Sequence, residues 1–230
     1  MDPISKRILL GSAVAGEALP TVIGEEALGG YFAGYLADQA DGVADYGLIV
    51  APASTVVTRA WKTSGSLTTH TNSPWDGATN TSDINNSSHP AAQYCAGLTT
   101  GGYSDWYLPS FAELEIAYYN FKPTTTANYT GSSLTSGPRG FDGNWYTSPS
   151  RFDYYFQTPG DPAQTSITAF QSGNAQAFNA AVHWTSNQHT AYTSASASDA
   201  TGIDFSDGRL NPYRTKTFAN YVRAFRRFAV

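Results

Sequence analysis

The stretch Gly101-Gly102-Tyr103-Ser104-Asp105-Trp106-Tyr107-Leu108-Pro109-Ser110 carries the strongest structural signal in this 230-residue chain. Its last residue marks a helix start, because Ser110 followed three residues later by Glu113 is a capping-box pattern. The residues that then recur at helical spacing are Phe111, Leu114, Tyr118 and Phe121. The sequence therefore predicts a helix that begins directly after Ser110.

Three further motifs follow this stretch along the chain. They are His183-Trp184-Thr185-Ser186, Asp204-Phe205-Ser206-Asp207-Gly208-Arg209 and Tyr221-Val222-Arg223-Ala224-Phe225-Arg226. The whole set resembles the Lcl C-terminal (DUF1566) domain family over roughly residues 29–228, with long insertions in the middle unmatched. The resemblance implies an α+β, C-type-lectin-like fold with mixed or antiparallel sheets, two helices and long loops. Domains of this family often lie at the tips of bacterial adhesins and on phage virion proteins.

Outside these motifs, the sequence predicts a sheet-rich domain of residues 29–230. Apolar runs indicate strands at 30–36, 46–51, 55–61, 181–186, 201–205 and 219–228, and Pro90 opens a helix over 90–98. We expect the first and last of these strands to pair in one sheet, so that the ends of the domain meet. Residues 72–89 resemble a polar loop. The expected core contains Phe32, Leu48, Trp106, Leu108, Leu114, Trp184, Phe205 and Val222.

The composition favours a recognition or structural protein over a nucleic-acid binder. Charged residues make up only 13% of the chain, aromatic residues 14%, and the net charge is −5. Exposed tyrosines are rigid contacts for a binding partner, although they can equally line an irregular β core. Six basic residues and no acidic one lie between Arg209 and Val230. These cations either pair with carboxylates of the acidic N-terminal half or dock an acidic partner or glycan.

The sequence predicts no catalytic, metal or cofactor site. The single Cys95 lies in a helical apolar pattern, which favours a buried, inert thiol. The four histidines are scattered, and His183 beside Trp184 indicates a packing role. Asp204 and Asp207 lack the ligand spacing of a calcium loop, so Asp207-Gly208 is better interpreted as a hairpin turn. No stretch reaches the ~20 apolar residues of a membrane span.

We place the candidate ligand-binding residues in segments that depart from the family pattern, namely 72–86, 124–151 and 152–176. Residues 122–179 form a turn-rich region too long for a passive connection, so this region is either functional or packed on a partner. The candidates are Tyr129, Arg139, Trp145, Tyr146, Tyr154 and Tyr155. Within the shared motifs, Asp105, Trp106, Trp184 and Arg223 are interpreted as structural, with ligand contact as the alternative.

Residues 1–28 have no counterpart in the family pattern and predict an extended N-terminal arm. Its apolar run is broken at Gly11, which favours a structural arm over a signal peptide. We expect the arm to pack on other virion proteins or on copies of this chain in a homo-oligomer through Ile4, Ile8, Leu9 and Leu10.

Two non-enzymatic functions on the surface of a virion fit these features. The first is a phage tail- or fibre-associated protein that recognises a host-surface glycan or protein. The second is a capsid decoration or vertex protein with only a structural role. A bacterial surface adhesin is a third interpretation.

Overall fold

The computed structural model describes residues 18–37, 43–69, 71, 73–129, 146–147, 158–188 and 197–230. Ten strands and three α-helices lie within these ranges. The strands are β1 (Glu26–Ala27), β2 (Gly30–Leu36), β3 (Tyr46–Val50), β4 (Val57–Ala60), β5 (Tyr146–Thr147), β6 (Val182–Gln188), β7 (Asp199–Asp204), β8 (Leu210–Thr215), β9 (Ala219–Val222) and β10 (Phe225–Ala229). The helices are α1 (Gly77–Asp83), α2 (Pro90–Ala96) and α3 (Phe111–Phe121).

The strands form two sheets. The first has the order β1-β2-β3-β10, with β5 also paired to β2, and all of its pairings are antiparallel. The second has the order β4-β9-β6-β7-β8 and is mixed, because β6 and β9 run parallel. The α+β class predicted from the sequence is therefore confirmed.

Both faces of the first sheet are buried, as the alternation along β3 shows. Leu48 and Val50 pack into a cluster with α3, whereas Ile49 packs on the opposite side among residues of α2 and three buried tryptophans. Side chains on a strand alternate between faces, so a run of apolar residues fills two cores at once. Every residue of the predicted core is buried, and most are less than 2% exposed.

The chain crosses between the two sheets at two neighbouring places. It leaves β3 for β4 after Val50 and leaves β9 for β10 at Arg223 and Ala224. The crossings are joined by hydrogen bonds from the Ala51 amide to the Ala224 carbonyl at 2.9 Å and from Arg223 Nε to the Ala51 carbonyl at 2.8 Å. These bonds tie the two sheets together.

The prediction of a single strand over 219–228 is therefore wrong. This segment contains two strands in different sheets, because Arg223 and Ala224 form the crossing between them. The first strand, β2, does share a sheet with β10, as expected. The expected direct pairing of these strands is wrong, because β3 lies between them and pairs with both.

The helices also depart from the expected pair. The capping box of α3 is confirmed, since Ser110 Oγ accepts a bond from the Glu113 amide and Glu113 Oε2 accepts one from the Ser110 amide. Helix α2 lies within the predicted 90–98 range. The polar loop predicted at 72–89 is wrong, because α1 forms inside it with Asp76 as N-cap. Asp76 Oδ1 accepts a 2.9 Å hydrogen bond from the Thr79 amide.

Residues 26–28 belong to the folded domain ahead of its predicted start at 29. Glu26 and Ala27 pair with β2, and Leu28 is 1% exposed in the core. The arm residues Ile4, Ile8, Leu9 and Leu10 lie outside the described residues, so their packing stays a prediction.

Candidate binding site

In the insertion predicted to carry the binding site (residues 122–179), the chain before residue 130 is joined to the chain after residue 157, and we call this junction its closed base. Asn128 donates through its backbone amide to the Pro159 carbonyl at 2.9 Å. Its side-chain amide donates to the carbonyls of Thr158 at 3.2 Å and Pro162 at 2.9 Å, and its Oδ1 accepts from the Tyr118 hydroxyl at 2.6 Å. The departing and returning chains are thus joined at one buried residue.

A second set of bonds ties the departing chain to the turn between β7 and β8. The Tyr129 amide donates to the Asp207 carbonyl at 2.8 Å, and Thr124 Oγ1 donates to the Ser206 carbonyl at 2.8 Å. Asp204 Oδ1 accepts from both the backbone amide and the hydroxyl of Ser206, which fixes the turn itself. The hairpin interpretation of Asp207-Gly208 is confirmed, because β7 and β8 pair as antiparallel strands on either side.

Tyr129 is the candidate ligand residue whose side chain is described, and it forms a small surface group with two polar residues. The Arg209 guanidinium lies 4.0 Å from the centre of the Tyr129 ring, and Arg209 Nη2 lies 3.5 Å from Asp207 Oδ2. The Arg209 side chain is 47% exposed. The exposed guanidinium lies over the Tyr129 ring with the Asp207 carboxylate beside it, so this group presents hydrogen-bond donors and an acceptor to a polar ligand.

Tyr146 lies in β5, which pairs with the outer edge of β2 through Leu36 and Tyr35. The described residues 146–147 of the insertion therefore belong to the first sheet. The candidates Arg139, Trp145, Tyr154 and Tyr155 lie outside the described residues, and their role stays a prediction.

The end of the insertion, by contrast, belongs to the core. The Phe170 ring stacks on Phe121 of α3 with centroids 3.8 Å apart, and Phe178 stacks on Phe205 at 4.1 Å. Both phenylalanines are buried. The candidate segment 152–176 is therefore partly structural, since the chain past 158 packs on its own domain.

The shared motifs hold the scaffold together. Trp106 and Trp184 are at most 2% exposed, and Arg226 Nε and Nη2 bind the two carboxylate oxygens of Asp105 at 2.8 and 2.9 Å. Arg223 is buried without a carboxylate among its described partners, and it donates to the Ala51 and Gln176 carbonyls. Burial lowers the pKa of Arg223 to about 9. The structural interpretation of these motifs is supported.

The C-terminal cations pair in part with carboxylates of the N-terminal half, as one of the two predictions expects. Arg226 pairs with Asp105, and Arg227 pairs with Asp76 at 3.2 Å. Arg209 pairs instead with Asp207. Lys216 is fully buried and donates to Gln188 Oε1 and to two backbone carbonyls. Docking of an acidic partner or glycan stays a prediction.

Two titratable side chains are buried as the sequence predicts. Cys95 is fully buried, which raises the pKa of its thiol far above the ordinary range. His183 is also buried, and its Nδ1 lies 3.0 Å from the Ala181 carbonyl. Burial, with a smaller effect of the nearby Arg223, lowers the pKa of His183 to about 3.

Comparison of the chain with protein-family models, with curated proteins and with solved structures finds no match. Among the described residues, no three or more His, Cys, Asp or Glu side chains come together in a way that could hold a metal ion. Likewise, none of the described helices has the length and apolar character needed to cross a bilayer.

Proposed function

We propose that this chain is a non-enzymatic phage virion structural protein, tail- or fibre-associated, whose C-type-lectin-like domain recognises a host-surface glycan or protein. The observation that carries the proposal is the closed base of the insertion. Asn128 and Tyr129 hold the chain before residue 130, and Thr158 and Pro159 hold it after residue 157. A rigid scaffold that presents a long segment from a fixed base is the usual arrangement of a recognition loop.

The chemistry at this base supports recognition of a polar ligand. Arg209 supplies an exposed cation that is stacked on Tyr129, and Asp207 supplies an acceptor. Aromatic and arginine side chains are enriched among residues that dominate binding energy at interfaces. The phage assignment rests on the resemblance of the 101–110 stretch and its three following motifs to the Lcl C-terminal family.

Binding of the purified chain to a panel of bacterial cells and to an array of bacterial surface polysaccharides tests this function. We expect Arg209→Ala, Trp145→Ala and Tyr154→Ala to weaken binding at least tenfold. Phe218→Ala is the matched control, because Phe218 is an exposed aromatic residue outside the insertion. Binding that is lost equally in the control, or that is absent from every cell and polysaccharide, would contradict the proposal.

A capsid decoration protein is the second candidate, favoured by the way Phe170 and Phe178 build the end of the insertion into the core. Electron microscopy of phage particles with a labelled copy of the chain separates the two. Label at the tail tip supports recognition, and label spread over the capsid lattice supports decoration. Label on the outer surface of bacterial cells alone would favour the third candidate, an adhesin.

A further inference from the structure

A cleft of about 210 Å³ opens between α1, α2 and the 104–107 segment. It is formed by elements other than those at the base of the insertion. Pockets for drug-sized ligands usually measure ~300–1,000 Å³, so this cleft fits one small ligand or a single ring of a larger one.

The cleft contains a hydrogen-bond acceptor, the Asp105 carboxylate, that a buried arginine holds in place. Asp105 lines the cleft and its side chain is 31% exposed, whereas Arg226, which binds both of its oxygens, is fully buried. Arg226 is itself fixed by the Leu28 carbonyl at 3.0 Å and by the Tyr103 ring, whose centre lies 3.7 Å away. Each carboxylate oxygen has two acceptor sites and Arg226 uses one, so both oxygens can still accept a bond from a ligand.

Three more polar side chains line the same cleft, namely Ser82, Asn85 and Ser104. All three residues are exposed, and within the described ranges their side chains make no hydrogen bond to the protein. They supply hydroxyl and amide groups that both donate and accept. A ligand that carries several hydroxyl groups matches this set, because each hydroxyl also donates and accepts.

The rest of the lining favours an uncharged ligand with an apolar face. Trp106 and Ala78 form part of the wall beside the polar groups. The charged groups of the lining are already neutralised, since Arg226 pairs with Asp105 and the lining residue Arg227 pairs with Asp76 at 3.2 Å. A charged ligand would lose its hydration without gaining an unpaired opposite charge.

We propose that this cleft binds one neutral, polyhydroxylated sugar ring, with Asp105 accepting hydrogen bonds from its hydroxyls. The inference rests on the proposed recognition function and names the chemical class of one part of its ligand. It places a sugar subsite on the scaffold itself, separate from the insertion.

Titration of the ¹⁵N-labelled chain with glucose, galactose, mannose and N-acetylglucosamine at millimolar concentration tests the subsite. The indole N–H of Trp106 is the reporter, because Trp106 lines the cleft and its Nε1 donates to the Tyr103 carbonyl. We expect at least one neutral sugar to shift this resonance saturably. Glucuronic acid and glycine, as a charged sugar and a zwitterion of small size, should bind at least tenfold more weakly.

A cleft-filling variant supplies the control for position. Ser82→Tyr places a large side chain in the cleft from an exposed helical position, and we expect it to weaken sugar binding at least tenfold. Ser87→Tyr makes the same change at an exposed residue outside the lining and should bind as the unaltered chain does. The absence of a saturable shift, equal binding by both variants, or preference for glycine or glucuronic acid would each overturn the inference.

The outcomes also separate this inference from the proposed function. Cell binding that needs Arg209 but survives Ser82→Tyr, with no sugar shift at Trp106, would contradict sugar binding in the cleft and still support host recognition. A saturable sugar shift in a chain that binds no cell or polysaccharide would support sugar binding in the cleft and contradict host recognition.

Discussion

Asn128 forms three side-chain hydrogen bonds, all with groups at least ten residues away in sequence. Its two amide protons bind the Thr158 and Pro162 carbonyls, and its oxygen accepts from Tyr118. No local pattern around Asn128 signals this role, because the partners come from the returning chain and from α3. The irregular region that contains Tyr129 could be predicted from the sequence, since composition and missing periodicity are local properties. The contacts that close the base of the insertion join residues far apart in the chain, so no local pattern predicts them.

We expect Asn128→Ala to lower the free energy of unfolding by about 2–3 kcal/mol, because it removes three buried hydrogen bonds, to Tyr118, Thr158 and Pro162. Asn174→Ala is the matched control at an exposed asparagine, and should change stability by less than about 0.5 kcal/mol. Urea unfolding measures both, and limited proteolysis should cut Asn128→Ala faster between residues 129 and 158. Equal stabilities of the two variants would show that the base is held elsewhere.

Among the elements, α1 shows why a helix can escape sequence-based prediction. Its residues, Gly-Ala-Thr-Asn-Thr-Ser-Asp, include few good helix formers, so propensity favours a loop. Tertiary bonds hold it instead: Asn80 Nδ2 donates to the Ser73 carbonyl and to Ser186 Oγ, and Thr81 Oγ1 donates to the Leu108 carbonyl. By contrast, the capping box of α3 lies within four consecutive residues and could be predicted.

Gly77 at the start of α1 gives a test in which packing and propensity oppose each other. Alanine is the better helix former by about 1 kcal/mol. A Cβ at this position, however, would lie 2.5 Å from the Ser110 nitrogen and 2.8 Å from the Leu108 carbonyl oxygen, against backbone that cannot easily move. We expect Gly77→Ala to destabilise the chain by about 1–3 kcal/mol through overpacking.

Thermal unfolding measures this effect, with Ser82→Ala as the control on the same helix. Ser82 is exposed, so its replacement should leave stability unchanged or raise it by a few tenths of a kcal/mol. A Gly77→Ala variant that is more stable than the unaltered chain would mean that α1 does not pack against the 108–110 segment.

For the molecule as a whole, buried titratable groups predict two opposing effects of pH on stability. Burial lowers the pKa of His183 to about 3, so stability from this group is present above the unfolded pKa of 6.5 and is lost as pH falls. Burial raises the pKa of Glu113 to about 7, despite the opposing effect of Arg227. Stability from Glu113 is therefore present below its unfolded pKa of 4.5 and is lost as pH rises toward 7.

Single substitutions should separate these effects. Between pH 7.5 and 4.5, the stability of His183→Phe relative to the unaltered chain should rise by about 2–3 kcal/mol, because the unfolded chain no longer gains a proton at this position. Glu113→Gln should shift relative stability in the opposite direction over the same interval, by about 2–3 kcal/mol. Urea unfolding at several pH values measures both, and parallel profiles for all three proteins would contradict the assignment.

The closed base at Asn128 has a consequence for how this surface can change over generations. Each doubling of the chain length between two fixed ends adds only about 0.6 kcal/mol to the entropic cost of closing a loop. Since the bonds of Asn128 and Tyr129 hold both ends, residues inserted between 129 and 146, or between 147 and 158, should add little to this cost. Insertions of different length at these two places can therefore accumulate in related chains without loss of the bonds that close the base.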